Sequence, residues 1–197
     1  MEKPDKPVTF AVMSTHFRKL YPVVTALLLT VGNSLPAYAQ SSVDEMLEAL
    51  RTAQPAEATR LTREIERVWS QSGSTSLDML LRRGREALEA EEIDVAIEHL
   101  TAVTDHAPDF AEGWHVRATA FYMKGLYGPA LDDLQKALIL NPDNYNAIFG
   151  LGVMLQEFGE LSRAEQAFSQ VIDLNPNHEP ASNALERLKS DGIGREL

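Results

Sequence analysis

The chain has 197 residues, of which 18 are basic and 29 acidic, giving a formal net charge of −11. An acidic surface repels phosphate backbones and anionic lipid headgroups, so we expect no nucleic-acid partner. Cysteine is absent. This excludes disulfides, thiolate nucleophiles, cysteine-ligated zinc and a lipid anchor on a bacterial-type lipobox cysteine.

Residues 1–39 have the order of features of a secretory signal peptide. His16, Arg18 and Lys19 form a short positive region, residues 20–31 are mostly apolar, and Ala37-Tyr38-Ala39 is a small-x-small cleavage site. A retained membrane anchor is the alternative, but the apolar run is shorter than the roughly 20 residues of a spanning helix. Translation from Met13 instead of Met1 would give a more compact signal peptide.

We therefore expect cleavage after Ala39, an exported and periplasmic protein, and no stable membrane span in the mature chain. The alternative location is a membrane tether through the uncleaved N-terminal segment. Cleavage leaves 14 basic and 27 acidic residues and a formal charge of −13.

Residues 40–76 predict an N-terminal helical pair and a linker. Ser42 and Glu45 have the spacing of a capping box, which places the start of the first helix there. Pro55 opens a second helix, and the serine-rich residues 70–76 predict a flexible joint. The apolar stripe of the second helix is Ala58, Leu61, Ile65, Val68 and Trp69.

The rest of the chain repeats with a period of 34 residues. Pro108, Pro142 and Pro176 fall 34 residues apart, and each ends a helical pattern. The other matching columns are Gly84, Ala118 and Gly152; Ala96, Ala130 and Ala164; Leu100, Leu134 and Phe168; and Leu80, Trp114 and Ile148.

A 34-residue helix–turn–helix unit with these columns resembles the tetratricopeptide repeat (TPR) of exported bacterial proteins. The resemblance implies units at 77–110, 111–144 and 145–178, followed by a capping helix and tail at 179–197. The implied fold is all-α: a right-handed α-solenoid of about three units, with an N-terminal helical pair and a C-terminal capping helix.

The columns predict where helices approach closely, and some positions depart from the family pattern. The small residue of each first helix should face the small residue of the second, so we expect Gly152 to meet Ala164. Ala87 stands where an aromatic is usual, Glu91 replaces the turn glycine, and Arg117 replaces a leucine.

The sequence contains no recognisable catalytic, nucleotide-binding or metal-binding motif. We therefore expect that the protein is not an enzyme and binds no cofactor or metal ion. His99 and His106 are two helical turns apart, too far to share one ion. The acidic pairs Glu91-Glu92 and Asp132-Asp133 lie near helix starts, where the helix dipole favours negative charge.

The resemblance implies that the first helices of the units line a groove that binds a peptide or helix of a protein partner. The repeat positions that face this groove in the family include Leu81 and Leu88 in this chain. The positions of a carboxylate clamp hold one basic residue, Arg85, so we expect no clamp. The candidate partner-binding residues are Arg85, His115, Thr119, Tyr122, Phe149, Val153 and Gln156.

Two occupants of this apolar groove stay open: a partner segment, or the chain's own N-terminal helical pair. Tyr122 and Phe149 are expected to be its central residues and to take no part in packing one repeat on the next. The predicted function is a non-enzymatic protein–protein interaction scaffold in the cell envelope. The alternatives are a structural subunit that bridges components of an envelope assembly, and an enzyme with an unrecognised site.

Overall fold

A computed structural model describes residues 34–193, with side chains from residue 42 to residue 190. Most of the predicted signal peptide, including its charged and apolar regions, lies outside the described residues. By its internal contacts the chain divides after Ser42, and the part from Val43 onward contains the predicted repeats. The helices found within the described range are α1 Ser34–Leu50, α2 Pro55–Trp69, α3 Thr75–Glu89, α4 Ile93–His106, α5 Ala111–Met123, α6 Tyr127–Leu140, α7 Tyr145–Glu157, α8 Leu161–Leu174 and α9 Glu179–Ile193.

Helix α1 begins earlier than the capping box predicts. It starts at Ser34 instead of Ser42, and therefore includes the predicted cleavage site at residues 37–39. Pro36 stands in the first turn of this helix, where the missing N–H costs no hydrogen bond. Pro36 therefore does not interrupt the helix.

Helices α3 to α8 form three helical hairpins that stack in chain order. Within the hairpins α3 packs on α4, α5 on α6, and α7 on α8; between them α4 contacts α5, α6 contacts α7, and α9 covers α8. Helices α5 and α7 begin at Ala111 and Tyr145, the first residues of the predicted second and third units. The fold is an all-α solenoid. No helix in the described range is long and apolar enough to cross a membrane.

The small-residue column marks the closest helix approach, but its partner differs from the prediction. A Cβ built on Gly152 would lie 2.6 Å from Cε1 of Phe168, and one built on Gly84 would lie 2.6 Å from Cγ of Leu100. Gly152 therefore faces the large residue of the second helix, not Ala164. The missing side chain makes room for a buried leucine or phenylalanine.

The turns within the three hairpins share one backbone conformation. Gly125 and Gly159 have φ values of 76° and 78°, and Glu91 takes the same place in the first unit with φ 59°. This left-handed region suits glycine and strains an L-residue with a side chain. Glu91 therefore keeps the backbone conformation of the turn, although this conformation is strained for a residue with a side chain.

The N-terminal pair belongs to the same core as the third unit. Leu50 and Ile65 are fully buried in a cluster that also contains Ile148, Phe168 and Ala181. Burial of large aliphatic side chains is the main source of folding free energy. Helix α2 and the part of α1 from Val43 onward are therefore part of the folded body.

The serine-rich segment between α2 and α3 is tied down by hydrogen bonds. The Asp78 carboxylate accepts hydrogen bonds from the backbone N–H and the hydroxyl of Ser72, at 2.7 and 2.6 Å. The predicted joint therefore contains local hydrogen bonds to the start of α3. Asp78, in the first turn of α3, thus accepts hydrogen bonds from the polar groups of the segment. Serine and aspartate side chains often form such local hydrogen bonds in turns.

Candidate binding groove

The first helices of the units, α3, α5 and α7, present one face, which we call the groove face. Helix α2 contacts this face directly. Asn146 of α7 donates a hydrogen bond to the Glu66 carboxylate at 2.8 Å, and Arg85 of α3 donates one to the Ser70 hydroxyl at 2.9 Å. The ring of Trp69 lies 5.1 Å from that of Tyr145. The chain's own N-terminal pair thus covers part of the groove face.

A buried carboxylate beside α2 joins α3, α5 and the residue that caps α7. Glu112 of α5 forms an ion pair with Arg85 of α3 and a 3.2 Å contact with His115. Asn144 donates a 3.1 Å hydrogen bond to it and caps α7 by accepting one from Ala147 N–H. Burial opposes ionisation of Glu112, but His115, Arg85 and Asn144 outweigh it and hold its pKa below the usual carboxyl value.

Arg85 is therefore not a free cation on the groove face. Its guanidinium is engaged by Glu112 and by the Ser70 hydroxyl. A cavity of about 440 Å³ lies beside this cluster and is lined by side chains of α2, α3, α5 and α7. Glu112 could not be predicted from the repeat pattern, because its column carries no family signal and its partners Arg85 and Asn144 lie 27 and 32 residues away in sequence.

A second cavity, of about 370 Å³, lies between α5 and α7 and is mainly apolar. No acidic residue lines it. We call it the α5–α7 pocket. Its lining residues are His115, Ala118, Thr119, Tyr122, Leu134, Asn146, Phe149, Gly150, Val153 and Met154.

Five of the seven candidate residues thus lie in one pocket: His115, Thr119, Tyr122, Phe149 and Val153. The other two lie elsewhere. Arg85 lines the polar cavity, and Gln156, half-buried near the end of α7, lines neither of these two cavities. The pocket therefore gathers the candidates of the second and third units.

Tyr122 and Phe149 also make contacts beyond the pocket. The Tyr122 hydroxyl donates a 2.5 Å hydrogen bond to the Glu157 carboxylate of the next unit, which with some desolvation raises the pKa of Tyr122 to about 12. The Phe149 ring lies 5.5 Å from Phe168 and 5.1 Å from His178. The expectation that Tyr122 takes no part in packing one repeat on the next is therefore wrong, whereas both ring contacts of Phe149 lie within the third unit, residues 145–178.

Two further residues differ from their expected surroundings. Leu81, placed in the groove by its column, is buried with the core of the first unit, because its helix face turns toward α4 and α5. Asp133, for which only an interaction with the helix dipole was expected, is buried and paired with Arg117. In both cases the neighbouring helix decides the burial, and a single helical pattern does not show that helix.

Between residues 42 and 190, no group of three histidine, aspartate or glutamate side chains is placed to bind one metal ion. His99 and His106 lie at different depths, half-buried and exposed. The polar residues of the groove face instead bond to one another. The arrangement can hold a ligand by shape, apolar contact and a few hydrogen bonds.

Sequence comparison gives two matches to family models described as tetratricopeptide repeat, at residues 81–144 and 121–188. A TPR repeat-containing protein of Rhizobium etli is 26% identical over 147 residues, which are 74% of this chain and 72% of that protein. The human DnaJ homolog subfamily C member 3 is 33% identical over 116 residues, 58% of this chain but 23% of that protein.

Solved structures with the same fold include the P58(IPK) TPR domain, at 30% identity and a TM-score of 0.55 over 61% of this chain and 34% of that chain. The first TPR of Spaghetti (RPAP3), bound to the HSP90 peptide SRMEEVD, is 23% identical with a TM-score of 0.56, covering 59% and 93%. The type III secretion chaperone SycD of Yersinia enterocolitica, in complex with a YopD peptide, is 17% identical with a TM-score of 0.55, covering 60% and 96%.

The two family matches together span residues 81–188, which are the stacked helices α3 to α9 up to the last turns of α9. The repeat period, the helical hairpins and the related structures agree. This chain is a member of the tetratricopeptide-repeat family.

Proposed function

We propose that this protein is a protein-interaction module that binds an apolar segment of a partner in the α5–α7 pocket. The observation that carries the proposal is the pocket itself: about 370 Å³, lined mainly by apolar side chains and left open on the groove face. Concave apolar sites with a few polar groups are the common form of binding sites. Thr119 and Asn146 supply the polar groups here.

The size of the free groove limits what can bind. Helix α2 contacts α7 through Glu66 and Trp69 and reaches α3 through Ser70, so it takes the part of the groove face near the starts of α5 and α7. The α5–α7 pocket borders this part at Asn146 and extends along the following turns of these helices. A partner would therefore insert a short segment, with one or two large side chains in the pocket, rather than a long helix along all three units.

Two related structures support binding of a peptide by this fold, although their identity to this chain is low. Spaghetti carries an HSP90 peptide, and SycD carries a peptide of YopD. This chain would differ from a receptor for acidic peptide ends, because Arg85 is already neutralised by Glu112. The partner segment would be held through apolar contacts and not through a terminal carboxylate.

We also propose that the protein acts in the bacterial envelope, after export. The support is the sequence of residues 1–39, with its positive region, apolar run and small-x-small site. The cleavage site lies within the first residues of α1. Cleavage would therefore occur before this end of the helix forms, or would require it to unwind. N-terminal sequencing of protein from the periplasm should give Gln40 first. Full-length chain in a salt-washed membrane pellet would favour the tether instead.

A bridging role in an envelope assembly is a second candidate, and one observation favours it. A further cavity, of about 510 Å³, is lined by Leu131, Gln135, Leu138 and Ile139 of α6, by Leu151 of α7 and by Arg163 of α8. Ile139 is 69% exposed. A scaffold that joins two components needs two separate surfaces, and this second apolar cavity would supply the other one.

The pocket can be tested with a random peptide library displayed on phage and selected on the whole immobilised protein. Thr119→Arg should remove most binding of the enriched peptides, because Thr119 is exposed on α5 and lines the pocket. Gln166→Arg, at an exposed position of α8, adds the same charge elsewhere and should leave binding unchanged. If no peptide is enriched, or if Thr119→Arg binds like Gln166→Arg, the proposed function is wrong.

A further inference from the structure

The exposed apolar side chains of this protein are concentrated at one edge. Among the described residues, seven large apolar side chains are exposed. Four of them lie in or beside the turns that join the helices of the second and third units: Met123 is 47% exposed, Leu126 40%, Tyr127 42% and Phe158 46%. We call these four residues the turn-edge surface. The matching turn of the first unit carries Glu91 and Glu92 instead.

The turn-edge surface continues the α5–α7 pocket. Tyr122 lines the pocket, and its ring lies 5.9 Å from that of Tyr127. The Tyr127 ring in turn meets Phe158 edge to face at 5.6 Å. Tyr122, Tyr127 and Phe158 therefore form a continuous row of contacting rings from the pocket to the exposed edge. The row begins in the second unit and ends in the third.

Exposed apolar groups gathered in one patch mark interaction sites, whereas the same groups scattered singly do not. The pocket is covered by α2 toward the starts of α5 and α7, whereas the aromatic edge is at the opposite ends of these helices. A segment seated in the pocket can thus leave it over this edge. An extended chain advances about 3.3 Å per residue, so each step between rings corresponds to about two residues.

The charges along the edge indicate the chemistry of that segment. Glu157 and Glu160 flank Phe158, and in the described part of the chain neither carboxylate forms an ion pair. The nearby cation Lys124 is paired with Asp94 of the first unit. The whole chain is acidic as well. Complementary charge favours a basic partner and repels an acidic one.

We propose that the turn-edge surface is the second half of the binding site and selects the partner. The partner is a peptide segment with one large apolar anchor for the α5–α7 pocket, a second apolar residue about two to four positions away for Tyr127 and Phe158, and a lysine or arginine beside the second anchor. This inference rests on the proposed function, since it assigns a partner chemistry to the same groove.

The test uses the phage-selected peptides, synthesised with a fluorescent label, and the whole protein in solution. Tyr127→Gln with Phe158→Gln removes both exposed rings. Met79→Gln with Val95→Gln is the matched control, because these two side chains are also apolar and exposed but line neither the α5–α7 pocket nor the cavity lined by Ile139. Fluorescence anisotropy gives Kd for each variant.

We expect the turn-edge double variant to weaken peptide binding by at least ~10-fold, as aromatic anchors in binding sites often do, and the control to change Kd by less than about 2-fold. Glutamate in place of the basic residue of the peptide should also weaken binding. If the turn-edge variant binds like the control while Thr119→Arg still abolishes binding, the inference is wrong and the proposed function stands.

Two other results would overturn the inference in part or whole. Enrichment of acidic peptides would contradict the charge assignment. A dimer in sedimentation equilibrium that the Tyr127→Gln, Phe158→Gln variant dissociates would show that a second copy of this chain covers the edge, and not a partner peptide.

Discussion

Arg117 of α5 and Asp133 of α6 form a two-point ion pair, with donor–acceptor distances of 2.7 and 2.9 Å. Both side chains are nearly buried, at 13% and 7% exposure. The guanidinium also donates to Thr104 of the first unit at 2.7 Å and lies over the Trp114 ring. A position that is leucine in the repeat pattern therefore carries a charge that links two units.

Arg117→Leu should strongly destabilise the protein, although it restores the usual residue. Asp133 would be left buried without its cation, which costs about 3–5 kcal/mol of unfolding free energy. The double variant Arg117→Leu, Asp133→Leu should be more stable than Arg117→Leu alone, because no unpaired charge remains. Urea denaturation of the four proteins in this cycle measures the effect. Additive losses would mean that the pair contributes no coupling.

Replacing two glycines of α7 by alanine should change the stability of the protein in opposite directions. Gly152→Ala places a methyl group 2.6 Å from the buried Phe168 ring, and such overpacking typically costs about 1–3 kcal/mol. Gly150→Ala meets nothing closer than 3.7 Å, so it should gain up to about 1 kcal/mol of helix propensity. Thermal denaturation should show a lower midpoint for the first variant and an unchanged or higher one for the second. Equal midpoints would contradict the close approach.

Glu91→Gly should stabilise the first unit. Glu91 has φ 59°, a conformation that costs an L-residue about 1–2 kcal/mol. Glycine relieves this strain but is more flexible in the unfolded chain, so we expect a net gain of about 0.5–1 kcal/mol. Glu91→Ala is the control, because it removes the charge without relieving the strain. The two variants should differ in urea midpoint, and the same midpoint for both would contradict the argument.

The Glu112 cluster makes stability depend on acid pH. Because the pKa of Glu112 is lowered in the folded state, its contribution is present above the unfolded carboxyl value near 4.5 and is lost as the pH falls through the folded value. Glu112→Gln should be less stable than the parent at pH 7, and the difference should shrink by pH 3.5. Urea denaturation at both pH values measures it. A difference that does not change with pH would mean that Glu112 is not ionised in the fold.

Helix α2 should unfold together with the repeats. Ile65 is fully buried in the cluster shared with α7 and α8, so Ile65→Ala should cost about 2–5 kcal/mol. In a Trp114→Phe background, Trp69 is the remaining tryptophan and reports on α2. Its fluorescence transition should coincide with the loss of helix in circular dichroism. An earlier fluorescence transition would indicate that α2 detaches while the repeats stay folded.

The repeat units could be predicted from sequence because their signals are local. Pro108, Pro142 and Pro176 stop helices wherever they stand, since they lack the N–H and exclude the preceding turn. The small-residue column reports a contact between neighbouring helices of one hairpin. Gly152 was correctly placed at the closest approach, but its partner proved to be Phe168 instead of Ala164. The column indicates close packing, and only the rotation of the helices decides which side chain fills the space.

The groove could be predicted in part. Five candidate residues line one pocket, because the face of a helix follows from its period. The polar cluster could not be predicted, since Glu66, Arg85, Glu112 and Asn146 come from four helices and no pattern links them.

By itself, the sequence determined the length and number of the repeats, the prolines that end their second helices and, for most of the candidate groove residues, the helix face on which they lie. These features depend on backbone preferences and on the 3.6-residue period, which act over a few residues. The tertiary structure decided that α2 covers part of the groove, that Arg117 and Asp133 are buried, and that Tyr122, Tyr127 and Phe158 form one surface. Contacts between distant helices depend on how whole elements pack, and packing is settled by many side chains at once.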